Sequence, residues 1–387
     1  MTYTRELSFE YNNPTRIVFG ENSHRDIGLE VDRLGCKNAL VVTDMGVAAT
    51  GLVEMVIERL GNRYAGTFDR CIQDSGIHIV NEGTSMAKEL GADSLISIGG
   101  GSVIDTAKGM AIVINEGGKL EDYAGIQMLS RPQTPHIVMP TTAGTGSEAT
   151  WVAVIKNWDE NRKDLYCDYH IIPQTAILDP ILTIGLPPQL TASTGLDALT
   201  HAVEAIHALQ REPIADAMAL HAIRLINDNL ALCVEDGSNL VARGQQQIAA
   251  TMAGIAFGNA QLGLVHAMAH SVGALFNIPH GIANSILLPH VIRFNLDECP
   301  DRYALVAEAM KLLSPGMSDQ EAGLACAEAI FNLSGNLNLP QKLSAVGVPE
   351  NGLLKAAELS MSDGAIIYNP RMVAGPEEIL SVYRNAF

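Results

Sequence analysis

The sequence predicts an α/β domain built on a parallel sheet, followed by an all-helical domain. Three observations carry this. At 387 residues the chain is longer than one hydrophobic core usually holds. Its first half alternates strand-like and helix-like segments, the pattern that lays a parallel sheet between helices. Beyond Pro187-Pro188 the apolar positions recur at helical spacing and alternating runs all but vanish. The boundary is therefore set there, with residues 1–186 as the α/β domain and 187–387 as the helical one.

Taken in order, "RIVFG" (16–20) and "NALVVTD" (38–44) read as strands, rich in β-branched residues and closed by turn formers. A helix is expected near 47–61, then a strand "AGTFD" (65–69) and a helix near 77–90. "SLISIGG" (94–100) reads as a strand, 102–114 as a helix, and "HIVMPTT" (136–142) closes the series. "EATWVAVIKN" with "KDLYCDYH" predicts a two-stranded excursion beyond it. In the second half, "ADAMALHAIRLINDNLALCV" (215–234) and "GQQQIAATMAGIAF" (244–257) carry helical periodicity.

Composition narrows the function. A net charge of −18 argues against a phosphate-backbone partner, so no nucleic acid is expected. The six cysteines are scattered with no CxxC pair, which points to reduced thiols in a cytoplasmic protein and away from a thiolate zinc site. No apolar stretch of membrane-spanning length is read, and the first twenty residues lack a secretory apolar region.

Two loops suit a bulky anion. In "ISIGGGSVIDTAKG" (96–109), Gly99, Gly100 and Gly101 join a strand to a helix, and the amides of Gly101 and Ser102 sit at that helix's positive end. This fits a pyrophosphate, although the spacing is not the G-x-G-x-x-G fingerprint, and a tight turn alone would look the same. "MPTTAGTGSE" (139–148) places small hydroxyl residues on the carboxyl edge of the sheet, where open α/β sheets bind ligands. Asp44, ending its strand, suits either a ribose-hydroxyl acceptor that repels a 2′-phosphate or a helix N-cap.

The helical half holds an unusual histidine pattern. Asp197 and His201 in "TGLDALTHAVEAI" share one helical face, and a charged carboxylate in so apolar a stretch requires a partner. "GLVHAMAHSVGALFNIPHG" (263–281) adds His266, His270 and His280. Asp197, His201, His266 and His280 would make an O,N,N,N set suited to Fe2+ or Zn2+ with room for a substrate oxygen.

"GGGSVIDTAKG", "PTTAGTGSE", "TGLDALTHAVEA", "GLVHAMAHSVGALFNIPHG" and "YNPR" (368–371) together resemble the iron-containing (group III) alcohol dehydrogenase family over nearly the whole chain. The resemblance implies a dehydroquinate synthase-like architecture with the site between the domains. It implies metal ligation by Asp197, His201, His266 and His280, leaving His270 to relay a proton or hold a substrate hydroxyl. Asp44, Gly100, Gly101, Ser102, Thr141, Thr142, Thr145 and Lys163 fall where the family contacts NAD. Phe257 and the Trp151-Val152 pair fall near the nicotinamide and substrate, with packing of the Trp151 ring into the domain core as the alternative. Where many relatives carry a Pro-Asn-Pro turn, this chain has Gln73-Asp74-Ser75, and Trp151 replaces a cationic side chain.

The implied activity is NAD(H)-linked oxidation of a small primary alcohol or diol, or reduction of an aldehyde or hydroxyaldehyde. A small acidic aldehyde is an alternative substrate, and a glycerol dehydrogenase-like or dehydroquinate synthase-like reaction would use the same architecture. A non-catalytic NAD- or metal-binding regulator would not need both loops and the full ligand set. A homo-oligomer, a dimer or a multiple of dimers, is expected, with no membrane partner.

Overall fold

The computed structural model describes residues 7–158 and 162–387. Part of the N-terminal segment examined for a leader, residues 1–6, lies outside the described residues. The chain forms two compact units, and their division departs from a single cut after residue 186 in two places. Residues 238–247 group with 13–186. The described residues before 13 group with 187–237 and 248–387, where the Asn12 N–H donates to Asn259 Oδ1 at 2.7 Å.

The α/β unit contains β1 (Arg16–Phe19), α1 (Ile27–Arg33), β2 (Ala39–Asp44), α2 (Met45–Ala48), α3 (Leu52–Leu60) and β3 (Tyr64–Cys71). It continues with α4 (Ile77–Glu89), β4 (Ser94–Gly99), α5 (Gly101–Glu116), β5 (Gly125–Ile126), β6 (His136–Pro140), β7 (Val152–Asn157), β8 (Arg162–Cys167) and β9 (Thr175–Leu178). Six strands pair in parallel in the order β1-β9-β6-β4-β2-β3.

Helices cover both faces of this sheet, which is why β2 and β4 read as unbroken apolar runs. Leu40, Val42 and Leu95 pack with Val80, Val103 and Met110 from α4 and α5 on one face. Val41, Ile96 and Ile98 pack with Val31, Val53 and Val56 from α1 and α3 on the other. Each such side chain, fully buried, contributes roughly 1.5–3 kcal/mol. The chain order reverses between β2 and β4, with β3 outside one and β6 outside the other. The loops leaving β2 and β4 therefore open at the place where sheets of this kind bind ligands.

Three elements differ from expectation. The helix expected over 47–61 is two helices, α2 and α3, because Gly51 turns the chain at φ +81°. β9, unpredicted, inserts between β1 and β6. The excursion has three strands: β7 and β8 pair antiparallel, Val152 opposite Cys167, and β5 joins β8 in parallel.

The helical unit contains α6 (Pro188–His207), α7 (Pro213–Glu235), most of α8 (Leu240–Ala260), α9 (Leu264–Phe276) and α10 (His280–Asn295). α11 (Pro300–Ala309), α12 (Asp319–Asn336), α13 (Leu353–Ser360) and α14 (Pro376–Asn385) complete it, with no strand among its described residues. Pro188 opens α6 in the first turn, where its missing N–H costs no hydrogen bond. By length and composition α7 could cross a membrane, contrary to the sequence expectation. Here its buried residues Ala215, Ala219, Ala222, Ile226, Leu230 and Cys233 form one stripe, and the helix packs on α6 and α11.

Candidate metal centre and cofactor loops

Asp197 and His201 lie one turn apart on α6, His266 lies in the first turn of α9, and His280 opens α10 after Pro279. One ligand atom from each of these four lies within 4.8 Å of every other. The first three are buried, while the His280 side chain is 33% exposed. His280 is thus the member of the set that solvent reaches most readily.

Electrostatics keeps it ready for a cation. Burial alone would raise the Asp197 carboxyl, but the imidazoles of His201, His280 and His266 and the Asn284 amide outweigh it and hold the group below its ordinary range. Burial first, then the His201 imidazole, pushes His266 well below its ordinary value, so its ring is neutral with a lone pair to give.

The donor chemistry fits a metal. Asn284 Nδ2 lies 2.7 Å from Asp197 Oδ1, 3.1 Å from His280 Nε2 and 3.3 Å from His266 Nε2. An amide nitrogen has two hydrogens to offer three acceptors, so the set holds more lone pairs than this neighbour can satisfy. Buried acceptors crowded around one point are costly unless a cation serves them.

The surrounding residues orient the rings. Glu204, two turns after Asp197 on the same face of α6, accepts from the Val265 N–H at 2.7 Å and pairs through Oε2 with His266 Nδ1 at 2.5 Å. A proton held on Nδ1 leaves Nε2 as the acceptor toward the cluster. Phe257 stacks on His201 with centroids 4.5 Å apart. His270 Nδ1 pairs with Asp363 Oδ2 at 2.8 Å, and its ring stacks on His280 at 5.3 Å. Burial raises Asp363, yet the His270 imidazole and the Ala365 N–H overcome it and draw the carboxyl down to about 2.

The "YNPR" segment supports the start of α9. Asn369 Oδ1 accepts from the Leu264 N–H at 3.3 Å and from Asn295 Nδ2 at 2.9 Å, and Arg371 donates to the Phe294 carbonyl at 3.0 Å. His207, given no role from sequence, is fully buried against the Tyr303 hydroxyl at 2.9 Å.

In the α/β unit, the glycine loop follows β4 and the hydroxyl loop follows β6. A Cβ on Gly100 would stand 3.1 Å from Thr142 Cγ2, and one on Gly101 2.7 Å from Thr145 Cγ2. The two loops are therefore packed so closely that a side chain would fill the cradle between them. No side chain caps the N-terminus of α5, whose first amides come from Gly101 and Ser102. Thr141 is tied to the same place by its N–H, which donates to the Gly99 carbonyl at 3.0 Å.

Asp44 acts as the N-cap of α2, Oδ1 accepting from the Val47 N–H at 2.9 Å. The cap alternative is thus realised. Lys108 is buried beneath the hydroxyl loop and donates to Ser147 Oγ at 3.0 Å and to the Thr150 and Val152 carbonyls at 2.9 and 2.8 Å. Burial lowers its ammonium to about 8, although Asp105 and Glu148 pull the other way. Lys163 Nζ is held by Asp74 Oδ1 at 2.6 Å. Trp151 is only 9% exposed and lies against Tyr169 at 5.2 Å, which favours the core reading of that ring over the pocket reading.

The sequence reading missed Glu204, Asp363, Asn284 and Lys108. Glu204 was findable, since it completes an i, i+4, i+7 face with Asp197 and His201. Asp363 carried no local signal, being 93 residues from its partner in a non-periodic segment.

A helical unit holding one carboxylate and three imidazoles together, on a chain whose other unit is a parallel sheet with glycine and hydroxyl loops, fits the architecture of a metal-dependent oxidoreductase. The chain belongs to the iron-containing alcohol dehydrogenase family and is an alcohol oxidoreductase. The iron-containing alcohol dehydrogenase profile matches residues 14–180, and that of the Fe-containing alcohol dehydrogenase family, C-terminal, matches 191–387. It is similar to 1,3-propanediol dehydrogenase of Citrobacter freundii, 40% identical over 385 residues, covering 98% of this chain and 99% of that one. It is 37% identical over 377 residues to NAD-dependent methanol dehydrogenase of Bacillus methanolicus, covering 96% and 98%. The crystal structure of a 1,3-propanediol oxidoreductase superposes with a TM-score of 0.96 at 40% identity, covering 98% of this chain and 100% of that one.

Proposed function

We propose that this chain catalyses the reversible, NAD(H)-linked oxidation of a small primary alcohol or diol, or reduction of the matching aldehyde or hydroxyaldehyde, with one divalent metal. The observation that carries this reading is the convergence of Asp197, His201, His266 and His280 on one point. These residues would hold the metal. Fe2+ is assigned because the family is iron-containing, although the O,N,N,N set also suits Zn2+. When bound, the metal supplies Lewis acidity at a substrate oxygen, and the nicotinamide supplies or takes up hydride.

The chain's own residues do the rest. Glu204 keeps the proton on His266 Nδ1, so that Nε2 stays basic toward the ligand set. Asp363 anchors His270 Nδ1, leaving Nε2 to take or return a substrate hydroxyl proton. Phe257 forms an apolar wall beside His201. For NAD, the amides of Gly101 and Ser102 beside Gly100 receive the diphosphate, Thr141, Thr142 and Thr145 offer hydroxyls, and Lys163 offers a charge. Asp44 accepts from the adenosine ribose through the carboxylate that also caps α2, and its charge disfavours a 2′-phosphate.

We further assign a cytoplasmic setting, with no membrane or nucleic-acid partner, and a dimer or multiple of dimers. The six free thiols support a reducing compartment. Ile17 and Phe19, 42% and 48% exposed on edge strand β1, give a second copy a place to pair. The test is a screen of the purified, metal-reconstituted protein across short aldehydes and alcohols, with NAD(H) and NADP(H) in parallel. Metal-dependent turnover with NAD(H) is expected. Saturable binding of metal and NADH without turnover on any of them would favour a regulator instead.

A further inference from the structure

After β3 the chain turns at Asp74, which adopts φ +50°, a left-handed conformation that Asp and Asn tolerate better than most residues. This turn brings a carboxylate to the phosphate loop. The Asp74 N–H donates to Ser102 Oγ at 3.2 Å, and Ser102 is the second residue of α5, whose N-terminus lacks a side-chain cap. The Asp74 side chain is 47% exposed and binds Lys163 Nζ at 2.6 Å, while the Lys163 side chain is only 20% exposed. A cation on β8 is thus tied, across the mouth of the glycine loop, to an anion on the turn after β3.

We propose that Asp74 loosens the grip on the dinucleotide and so speeds its release. The inference rests on the reading of the glycine and hydroxyl loops as the NAD site. A diphosphate arriving at the α5 N-terminus meets Lys163 already neutralised, and has to share that ammonium with Asp74 or take it away. The same carboxylate repels the phosphates directly. Both effects weaken the bound state, and neither changes the hydride-transfer chemistry. Where departure of the oxidised or reduced dinucleotide limits turnover, a weaker grip gives a faster cycle.

The variant Asp74→Asn tests this with little disturbance, because Asn also accepts positive φ. Asp74→Gly is the second variant, removing the carboxylate with no backbone strain. The readout is the NADH dissociation constant and off-rate, from fluorescence titration and stopped flow on the purified protein without substrate. Both variants should bind NADH about threefold to fivefold tighter at low salt and release it correspondingly more slowly, the scale expected of a partly exposed charge pair. The gain should shrink as salt rises toward about 0.5 M, where screening is strong. Adding Lys163→Met to Asp74→Asn should abolish the gain. Glu82→Gln removes a charge from an exposed pair on α4, with Arg70, and should leave NADH binding unchanged.

Saturable NADH binding of equal or lower affinity in Asp74→Asn and Asp74→Gly would overturn the inference. So would a gain that survives Lys163→Met or appears equally in Glu82→Gln. Absence of saturable NADH binding to the wild-type protein would instead overturn the dinucleotide reading on which the inference stands.

Discussion

Replacing Glu204 by Gln changes one atom in a buried network and should act mainly on metal affinity. Glu204 has no exposed surface, and its two oxygens serve different donors: Oε1 the Val265 N–H, Oε2 the His266 Nδ1. Gln has the same shape but a single acceptor oxygen. If that oxygen stays on the Val265 N–H, the new NH2 faces His266 and favours the tautomer with its proton on Nε2. That is the atom 3.3 Å from Asn284 Nδ2, on the side of the ligand cluster. The proton would then have to leave before a metal could bind. Loss of an orienting partner of this kind weakens metal affinity by about 10–100-fold, which corresponds to about 1.4–2.8 kcal/mol. The fold loses one charge-assisted hydrogen bond but no volume, so the apo protein should stay folded with a cost of about 1.5–3 kcal/mol. Chelator competition on the apo protein measures the affinity, and thermal melting checks the fold. Unchanged metal affinity in a folded Glu204→Gln variant would refute the tautomer argument.

Gly101→Ala should sharply weaken NADH binding in a fluorescence titration while keeping metal content, because its Cβ would stand 2.7 Å from Thr145 Cγ2; unaltered NADH affinity would show that the cradle is not used. Asp44→Gly should improve NADPH use relative to NADH and destabilise α2 by a few tenths of a kcal/mol through the lost cap; equal use of both cofactors by the wild type would leave Asp44 as a cap alone. Trp151→Ala, at a buried ring, should cost about 3–5 kcal/mol by denaturant unfolding, and a parallel kcat/KM profile across aldehyde chain lengths would confirm the core reading. Lys108 has a folded value lowered to about 8 from 10.5. Its contribution is therefore present above about 10.5 and lost as pH falls through 8, so the Tm gap between wild type and Lys108→Met should widen from pH 8 to pH 10; a constant gap would show that Lys108 keeps its proton over that range.

The sheet was legible because its central strands are buried on both faces and bounded by glycine or aspartate. "NALVVTD" and "SLISIGG" carry the apolar, β-branched runs of such strands and form β2 and β4. β9 was not, because four residues, Thr175–Leu178, are too few to show a period, and long-range pairing with β1 and β6 makes the strand. Gly51 broke the helix expected over 47–61, a place where the chain's need for a left-handed residue outweighed helical periodicity. At the candidate metal centre, Asp197 and His201 stand out as polar residues one turn apart in an apolar run. His266 and His280 sit at the first turns of α9 and α10, where proline and glycine punctuate the sequence. Their orienting partners are legible to different degrees. Glu204 lies on the same helix face but reads as an ordinary helical glutamate until α9 packs against it. Asp363 reaches His270 only through the tertiary fold. Lys108 carries no signal of its own in the sequence of α5, and only the loop packed over it reveals it as the buried tie beneath Ser147 and Thr150.

The central claim is that Asp197, His201, His266 and His280 hold one catalytic metal and that His270 does not. The direct measurement is the metal content of anaerobically purified, iron-reconstituted protein, alongside turnover of NADH with a short aldehyde, for the wild type and for His266→Ala and His270→Ala. About one metal ion per chain is expected in the wild type, loss of both metal and turnover in His266→Ala, and retained metal with reduced rate in His270→Ala. Full metal occupancy in His266→Ala, or metal lost from His270→Ala while His266→Ala keeps it, would contradict the assignment.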